Sequence, residues 1–488
     1  MLNNKIHYIE IFLLTIFEFM HSLRSIKFFI YFLPFITVLS SCRSEFKGCE
    51  YVAYFGGEVV NPNNPYVLFC KDNEVIDTLK LDENNRFFTQ FDSLAPGLYT
   101  FKHEPEYQYV YFDKNDSIMV RVNSRDFDES IVFCGRGEEK NNFLMEIYLK
   151  NEKDKYKMFD YFDDNFDNFS KEIDSTFANE TTFYNTKKQE IKWNEDFDVF
   201  AKAALDFNYY SKKELYPLVH KIRTGEDLID KLPANYYDYR KTIDFNNVGL
   251  SNYAPYVMYL SHMLNNMGTI NYHNHFSEKD LALKTNINKM TIADTLIKNQ
   301  KVKNNILNNI AFTYLLEDQN MSNNNTFLTS YKKLSTDKSK KNEIITLCNA
   351  IQMLKVGGTL PEVPLINTNG NPVSLSTLTK PNTVFFFWTK NAKSHLEAVH
   401  LKIMTLKSKF PQYNFVAVNV NDSEEDWKAT LDNYKFKGIT EVHCSNFETI
   451  KNKWAINKIH RTIILDNKGV IKNAFADIFD SQFEENLK

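Results

Sequence analysis

The segment FFFWTKNAKSHLEAVHL, residues 385–401, has the layout of a reactive site at a strand-to-helix junction. An apolar run ends at Trp388, a short polar stretch follows, and apolar residues then recur at helical spacing. Free amides and the dipole at a helix N-terminus stabilise a thiolate, so a cysteine at this junction would be acidified and nucleophilic. Residues 392–395 read Ala-Lys-Ser-His and contain no cysteine. The junction therefore has the form of a nucleophilic site without its nucleophile.

The elements around this junction alternate between strand and helix over residues 366–488, within a C-terminal region of residues 357–488 that includes its entry linker. TVFFFW and NFVAVNV are continuous apolar runs, typical of strands buried on both faces of a sheet. Asn369-Gly370 centres a predicted hairpin, and Ser423 with Asp426 forms a helix-capping pattern. RTIILD predicts a third strand, and SQFEENLK predicts a closing helix. The Gly- and Pro-containing residues 357–364 predict a linker before this domain.

This order of elements resembles the thioredoxin fold, specifically its TlpA-like branch. The resemblance is carried by the hairpin entry, by VFFFW before the first helix, and by IHRTIILDNKGVI. It implies thiol–disulfide exchange by two cysteines three residues apart, packed against a cis-proline before the third strand.

The residues at the positions implied by this resemblance do not supply that chemistry. The cysteine positions fall at Ala392 and His395, and the cis-proline position falls at His460. A cis bond before a residue other than proline costs about 3 kcal/mol, so we expect a trans peptide there. Two histidines facing each other would also lower each other's pKa. We therefore predict no catalytic residue and no cofactor.

The favoured function is a binding or scaffolding role for proteins or peptides in the groove above the helix N-terminus. The side chains predicted to line this groove are Trp388, Lys393, Ser394, His395, His460 and Arg461. Two alternatives stay open. One is a TlpA-like thiol–disulfide oxidoreductase with non-standard cysteines, using Cys444 or Cys348. The other is a purely structural module of the cell envelope.

The N-terminal residues 1–42 predict export and a lipid anchor. Arg24 and Lys27 precede an apolar run over residues 28–39, which is short for a membrane-spanning helix. Leu-Ser-Ser-Cys at residues 39–42 resembles a bacterial lipobox, which implies cleavage before Cys42 and a diacylglycerol on its sulfur. The alternative is an uncleaved signal anchor, and Met20 is a candidate for the true start.

The predicted location is the cell envelope, on the periplasmic side or the surface of the outer membrane. Arg43 follows Cys42, so the aspartate that retains enteric lipoproteins in the inner membrane is absent. Residues 43–50 form a short polar tether.

Two further regions lie between this tether and the linker. Residues 51–136 contain short β-branched and aromatic runs separated by turns, and they resemble the N-terminal β-domains of Bacteroidetes lipoproteins. Residues 137–356 show apolar spacing of three and four, as in residues 302, 306 and 310. The sequence predicts a multidomain α+β protein, with an N-terminal antiparallel β-sandwich, a central mostly α-helical domain and a C-terminal α/β thioredoxin-like fold.

The net charge and the spacing of possible metal ligands give no support for a nucleic-acid-binding or a metal-binding protein. The formal net charge is -4 and there is no long basic stretch, so the sequence lacks the positive charge expected of a nucleic-acid-binding surface. His273, His275 and Glu278 have a spacing that does not suit one helix face, so we predict solvated loop histidines and no metal site. No CxxC occurs, and any disulfide stays open among Cys49, Cys70, Cys134, Cys348 and Cys444.

Overall fold

The computed structural model describes residues 51–72, 74–270 and 278–488. The lipobox with Cys42, the tether with Cys49, and His273 and His275 lie outside the described residues. The side chain of Glu278 is also outside them.

Eight strands and one short helix form the first region. They are β1 Ala53–Val60, β2 Tyr66–Lys71, β3 Glu74–Lys80, β4 Arg86–Phe91, β5 Gly97–His103, β6 Glu106–Phe112, β7 Ser117–Asn123, α1 Phe127–Ser130 and β8 Val132–Arg136. One sheet has the order β4-β1-β7-β8 and the other has the order β3-β2-β5-β6. Phe55 of the first sheet packs on Phe69 and Phe101 of the second, with ring centroids 5.4 and 5.9 Å apart. The sandwich therefore has an aromatic core between its two sheets.

One strand pair differs from the predicted antiparallel arrangement. β1 and β7 are parallel, with Tyr54 opposite Ser117, whereas the neighbouring pairs are antiparallel. Parallel neighbours need a long connection, and the five intervening strands provide one.

Long helices follow, and several begin at a capping side chain. They are α2 Glu138–Asp163, α3 Phe166–Ile191, α4 Glu195–Thr224, α5 Ala254–Ile270, α6 Glu278–Leu296, α7 Gln300–Glu317, α8 Met321–Leu334 and α9 Lys338–Met353. Short 3-10 turns occupy Ile229–Lys231 and Asp238–Thr242. Asn165, Asn194 and Asn299 each accept a backbone N–H in the first turn of their helices. Val302 and Ile306 are buried, as the predicted apolar stripe of α7 requires.

The predicted linker is packed against the C-terminal region. The N–H of Gly357 donates to the carbonyl of Ile471, and the N–H of Ile471 donates to that of Gly358, both at 2.8 Å. Leu360 and Val363 are buried. The segment therefore contributes hydrogen bonds and apolar surface to the fold.

The last region is a thioredoxin-like α/β domain. Its elements are β9 Leu365–Asn367, β10 Pro372–Val373, α10 Leu375–Leu378, β11 Thr383–Trp388, α11 Lys393–Lys409, β12 Asn414–Asn419, α12 Glu424–Tyr434, β13 Thr440–Cys444, α13 Phe447–Trp454, β14 Arg461–Leu465 and β15 Ile471–Asp477. The sheet order is β10-β9-β13-β12-β11-β14-β15. β11 is parallel to β12 and antiparallel to β14, so it lies inside the sheet. All six of its residues are buried, which explains the continuous apolar run TVFFFW.

The structure differs from the sequence prediction at two places in this region. The strand β13 is absent from the prediction, because TEVHC is short and carries a glutamate and a histidine. The predicted closing helix is a 3-10 turn over Phe483–Leu487. Among the helices of the described ranges, none has the length and apolarity needed to cross a bilayer.

Candidate functional site

The candidate site is the N-terminus of α11, which lies just beyond the carboxyl end of β11. Ala392 is the N-cap residue, and its side chain makes no capping hydrogen bond. Within the part of the chain that the structure describes, the backbone amides of Lys393, Ser394 and His395 have no acceptor. Lys393 and Ser394 are exposed. The first turn of α11 therefore presents free N–H donors to an anionic or carbonyl group.

His395 occupies the second cysteine position and faces inward. Its Nε2 lies 2.9 Å from the carbonyl oxygen of Phe387, so this nitrogen carries the proton and donates it. Burial is the main cause that lowers the pKa of His395, and the charge of nearby His460 lowers it further. The effect of His460 on the pKa of His395 thus has the predicted direction, with burial the larger cause.

His460 lies at the other side of the site. Its preceding peptide bond is trans, as expected, since the cis bond found in the described residues is Glu104–Pro105. Nε2 of His460 lies 3.4 Å from Oδ2 of Asp477, and the His460 side chain is 39% exposed. Phe479, which is 45% exposed, makes an edge-to-face contact with the His395 ring, with the ring centroids 5.7 Å apart. The rim thus combines an imidazole, a carboxylate and an exposed aromatic ring.

Two of the six residues predicted to line the groove do not reach it. Trp388 is fully buried, and its Nε1 donates to Glu441 at 3.2 Å. Arg461 is 7% exposed, and its guanidinium donates to the carbonyls of Trp454 and Ala455 at the C-terminus of α13. Carbonyls at a helix C-terminus attract a cation, so Arg461 serves the fold rather than the groove. The sequence prediction for both residues is wrong.

Sequence reasoning missed Asp422, which holds the loop that leads into α11. Its carboxylate accepts from Thr389 Oγ1 at 2.6 Å and from the Lys390 N–H at 2.7 Å. Asn419 also donates to it, at 2.6 Å. β11 and β12 are parallel, so residues after their carboxyl ends meet at one edge of the sheet. The sequence NVND, at the carboxyl end of the second apolar strand, was the available signal.

None of the described cysteines lies on α11 or in the loop that leads into it. Cys70, Cys134, Cys348 and Cys444 are free thiols, and all but Cys134 are buried. Burial raises the pKa of the Cys348 and Cys444 thiols, and Cys444 Sγ lies 3.3 Å from the carbonyl of Asn446. A buried thiol with a raised pKa is a poor nucleophile at neutral pH.

Metal-ligand chemistry finds no support in the described ranges. Over residues 51–72, 74–270 and 278–488, no cluster of three histidine, cysteine or carboxylate side chains has the geometry of a metal site.

The sheet has three parallel strands at its centre, β13, β12 and β11, followed by an antiparallel β14–β15 pair. With α11 and α12 flanking it, this arrangement defines the thioredoxin-like class of domain. Residues 382–471 match the family model described as Thioredoxin-like. No curated protein matches the chain.

Solved structures resemble about a quarter of this chain. The thioredoxin domain of a thiol-disulfide oxidoreductase from Bacteroides vulgatus is 21% identical, with a TM-score of 0.22, and the alignment covers 24% of this chain and 85% of that one. A thiol:disulfide interchange protein from a Bacteroides species is 21% identical, with a TM-score of 0.24, and covers 28% of this chain and 88% of that one.

Proposed function

We propose that this chain is a lipid-anchored protein of the cell envelope whose thioredoxin-like domain binds segments of proteins or peptides without exchanging disulfides. The observation that carries the proposal is the first turn of α11, where unpaired backbone amides stand at positions 393–395 while Ala392 and His395 replace the two thiols. The lipid anchor rests on the lipobox-like residues 39–42.

The chemistry of the rim supports a peptide as the bound species. Free amides donate to a carbonyl or a carboxylate, and the half-exposed imidazole of His460 adds a hydrogen-bonding group. Phe479 offers exposed aromatic surface for a side chain. Lys393 is exposed, and its ion-pair partner within the described ranges is a Glu397 oxygen 4.0 Å away, so Lys393 favours an acidic residue of the bound peptide.

The second candidate function is thiol–disulfide exchange, which the Thioredoxin-like match over residues 382–471 favours as a class. It requires a reactive thiol outside positions 392 and 395. The burial of Cys348 and Cys444 opposes this candidate. The exposed Cys134 lies on β8 of the sandwich, in a different part of the chain from α11.

An insulin-reduction assay separates the two candidates. We expect the full-length protein in detergent to reduce insulin no faster than dithiothreitol alone. Activity above that background, abolished in Cys444→Ser, Cys348→Ser or Cys134→Ser, would establish the enzyme and overturn the binding proposal.

Site-specific photocrosslinking tests the groove itself. A photoreactive amino acid replaces Ser394 at the N-terminal end of α11, and in the matched control it replaces the exposed Ser408 near the C-terminal end of the same helix. We expect adducts with envelope proteins or peptides at position 394 and background labelling at position 408. Equal labelling at both positions would favour the purely structural module.

A further inference from the structure

A cleft of about 980 Å³ lies between the sandwich and the helices, away from the thioredoxin-like domain. Its floor is the outer face of the sheet, where Thr100 pairs with Tyr109 and Leu98 pairs with Tyr111 across β5 and β6. Its wall is one face of α7, at Lys301, Asn305, Asn308, Asn309 and Phe312. Clefts that bind small molecules reach about 1,000 Å³, so this one is large enough for a ligand of several rings.

Two buried hydroxyls in the cleft have no partner. Tyr111 is 0% exposed and Ser251 is 2% exposed, and neither Tyr111 Oη nor Ser251 Oγ makes a hydrogen bond among the described residues. An unsatisfied buried polar group costs free energy, which a ligand recovers when it supplies the missing partner. The two hydroxyls without partners are a second observation, separate from the shape of the cleft, that points to a binding site.

The charge of the cleft is positive although the whole chain is negative. Four lysines and two aspartates line it, whereas the chain carries a formal net charge of -4. Lys301 is paired with Asp72 at 2.6 Å. Lys102 and Lys340 have no ion-pair partner within the described ranges, so they are available to an acidic group.

The helix wall presents complementary hydrogen-bonding groups on adjacent residues. Asn308 accepts from the Tyr331 hydroxyl at 3.2 Å, which leaves its amide N–H groups for a ligand. Asn309 donates to Ser261 Oγ at 3.2 Å, which leaves its amide oxygen. A neighbouring donor and acceptor suit the paired hydroxyls of a sugar ring, since each hydroxyl both donates and accepts.

The edge of the sheet that forms the floor does not favour a peptide that would add as a further strand. β6 is an edge strand, but the backbone N–H and C=O of Tyr111 are both bound to the Asn141 side chain, at 2.6 and 2.9 Å. The N–H of Tyr109 is bound to Gln108 Oε1 at 2.9 Å. Three of the main-chain groups that strand addition would use on β6 are therefore occupied.

We propose that this cleft binds an acidic oligosaccharide, with Lys102 and Lys340 facing its carboxylates and Asn308 and Asn309 facing its hydroxyls. The site is separate from α11, so it stands whether or not the groove binds a peptide.

Fluorescence anisotropy on the full-length protein in detergent tests the proposal, with a fluorescein-labelled tetragalacturonate as the probe. We expect saturable binding that unlabelled tetragalacturonate displaces and that neutral maltotetraose and tetraglutamate displace poorly. Lys102→Glu should weaken binding by about tenfold or more, whereas Lys80→Glu, at an exposed lysine of the same sheet, should not.

Tyr111→Phe separates a ligand contact from a folding effect. The variant removes a hydroxyl without a partner, so thermal stability should hold while affinity falls about 3- to 10-fold. If Lys102→Glu does not fold, Lys340→Glu on α9 makes the same charge test. Absence of binding to the wild type, equal loss in Lys80→Glu, or stronger displacement by tetraglutamate would each overturn the acidic-saccharide assignment.

Discussion

His400 Nε2 lies 3.3 Å from Oε1 of Glu441, and the two side chains are 3% and 7% exposed. Nδ1 of the same ring lies 2.7 Å from the carbonyl of Leu396, so Nδ1 donates its proton there. Nε2 can then face Glu441 in two ways: as a donor from a cationic ring, or as an acceptor from a protonated carboxyl. In both cases His400 and Glu441 together hold one proton more than a neutral imidazole and an ionised carboxylate would hold.

Glu441→Gln should remove a pH dependence of stability. Burial raises the pKa of Glu441, and the hydrogen bond from His400 opposes that shift without reversing it. The folded protein therefore keeps this proton at pH values where the unfolded chain has lost it. The stability that this proton contributes is present below the ordinary pKa of glutamate. It is lost as pH rises through the raised pKa of Glu441 in the folded protein. Urea unfolding at a series of pH values across that window should show stability declining in the wild type, and the variant should lack this decline.

Glu441→Ala is the matched variant that breaks the contacts. It leaves His400 Nε2 and Trp388 Nε1 buried without partners, so we expect a loss of about 2–4 kcal/mol in the free energy of unfolding. A free energy of unfolding close to that of the wild type would mean that these contacts contribute little.

The sequence predicts the scaffold better than the direction of its side chains. It predicts TVFFFW as a buried strand because nearly every residue is apolar, and all six are buried. It places Trp388 and Arg461 in the groove because they stand at strand ends, where sequence position does not tell which way a side chain points. It misses β13 because Glu441 and His443 interrupt the apolar pattern, although partners on neighbouring elements allow both side chains to lie inside the fold.

Ala392→Cys/His395→Cys should restore a redox-active pair. Side chains three residues apart lie on one face of a helix, and the free amides of the first turn stabilise a thiolate. We expect thiol titration to show a reversible disulfide, and insulin reduction to exceed that of the wild type. Ala392→Ser/His395→Ser is the control without thiols. Failure of the double variant to oxidise would show that this turn does not have the geometry of an active thioredoxin site.

Asp422→Ala should loosen the loop that enters α11. Its carboxylate holds Thr389, Lys390 and Asn419, so we expect a loss of about 2–3 kcal/mol in the free energy of unfolding and faster hydrogen exchange at the Lys390 amide. Asp432→Ala, at an exposed position on α12, is the control and should change neither quantity. Unchanged exchange at Lys390 in Asp422→Ala would contradict the anchoring role.

His395 should titrate below the ordinary histidine range, and His460 should account for only part of that shift. Burial is the first cause that lowers the pKa of His395, ahead of the charge of His460. NMR titration should therefore give a value below about 6.5 in the wild type, and His460→Gln should raise it only partly. Because the unfolded chain binds this proton more readily, stability falls as pH drops from the ordinary pKa to the lowered folded value. His395→Gln should flatten that slope, and an ordinary pKa in the wild type would mean that the ring faces solvent rather than Phe387.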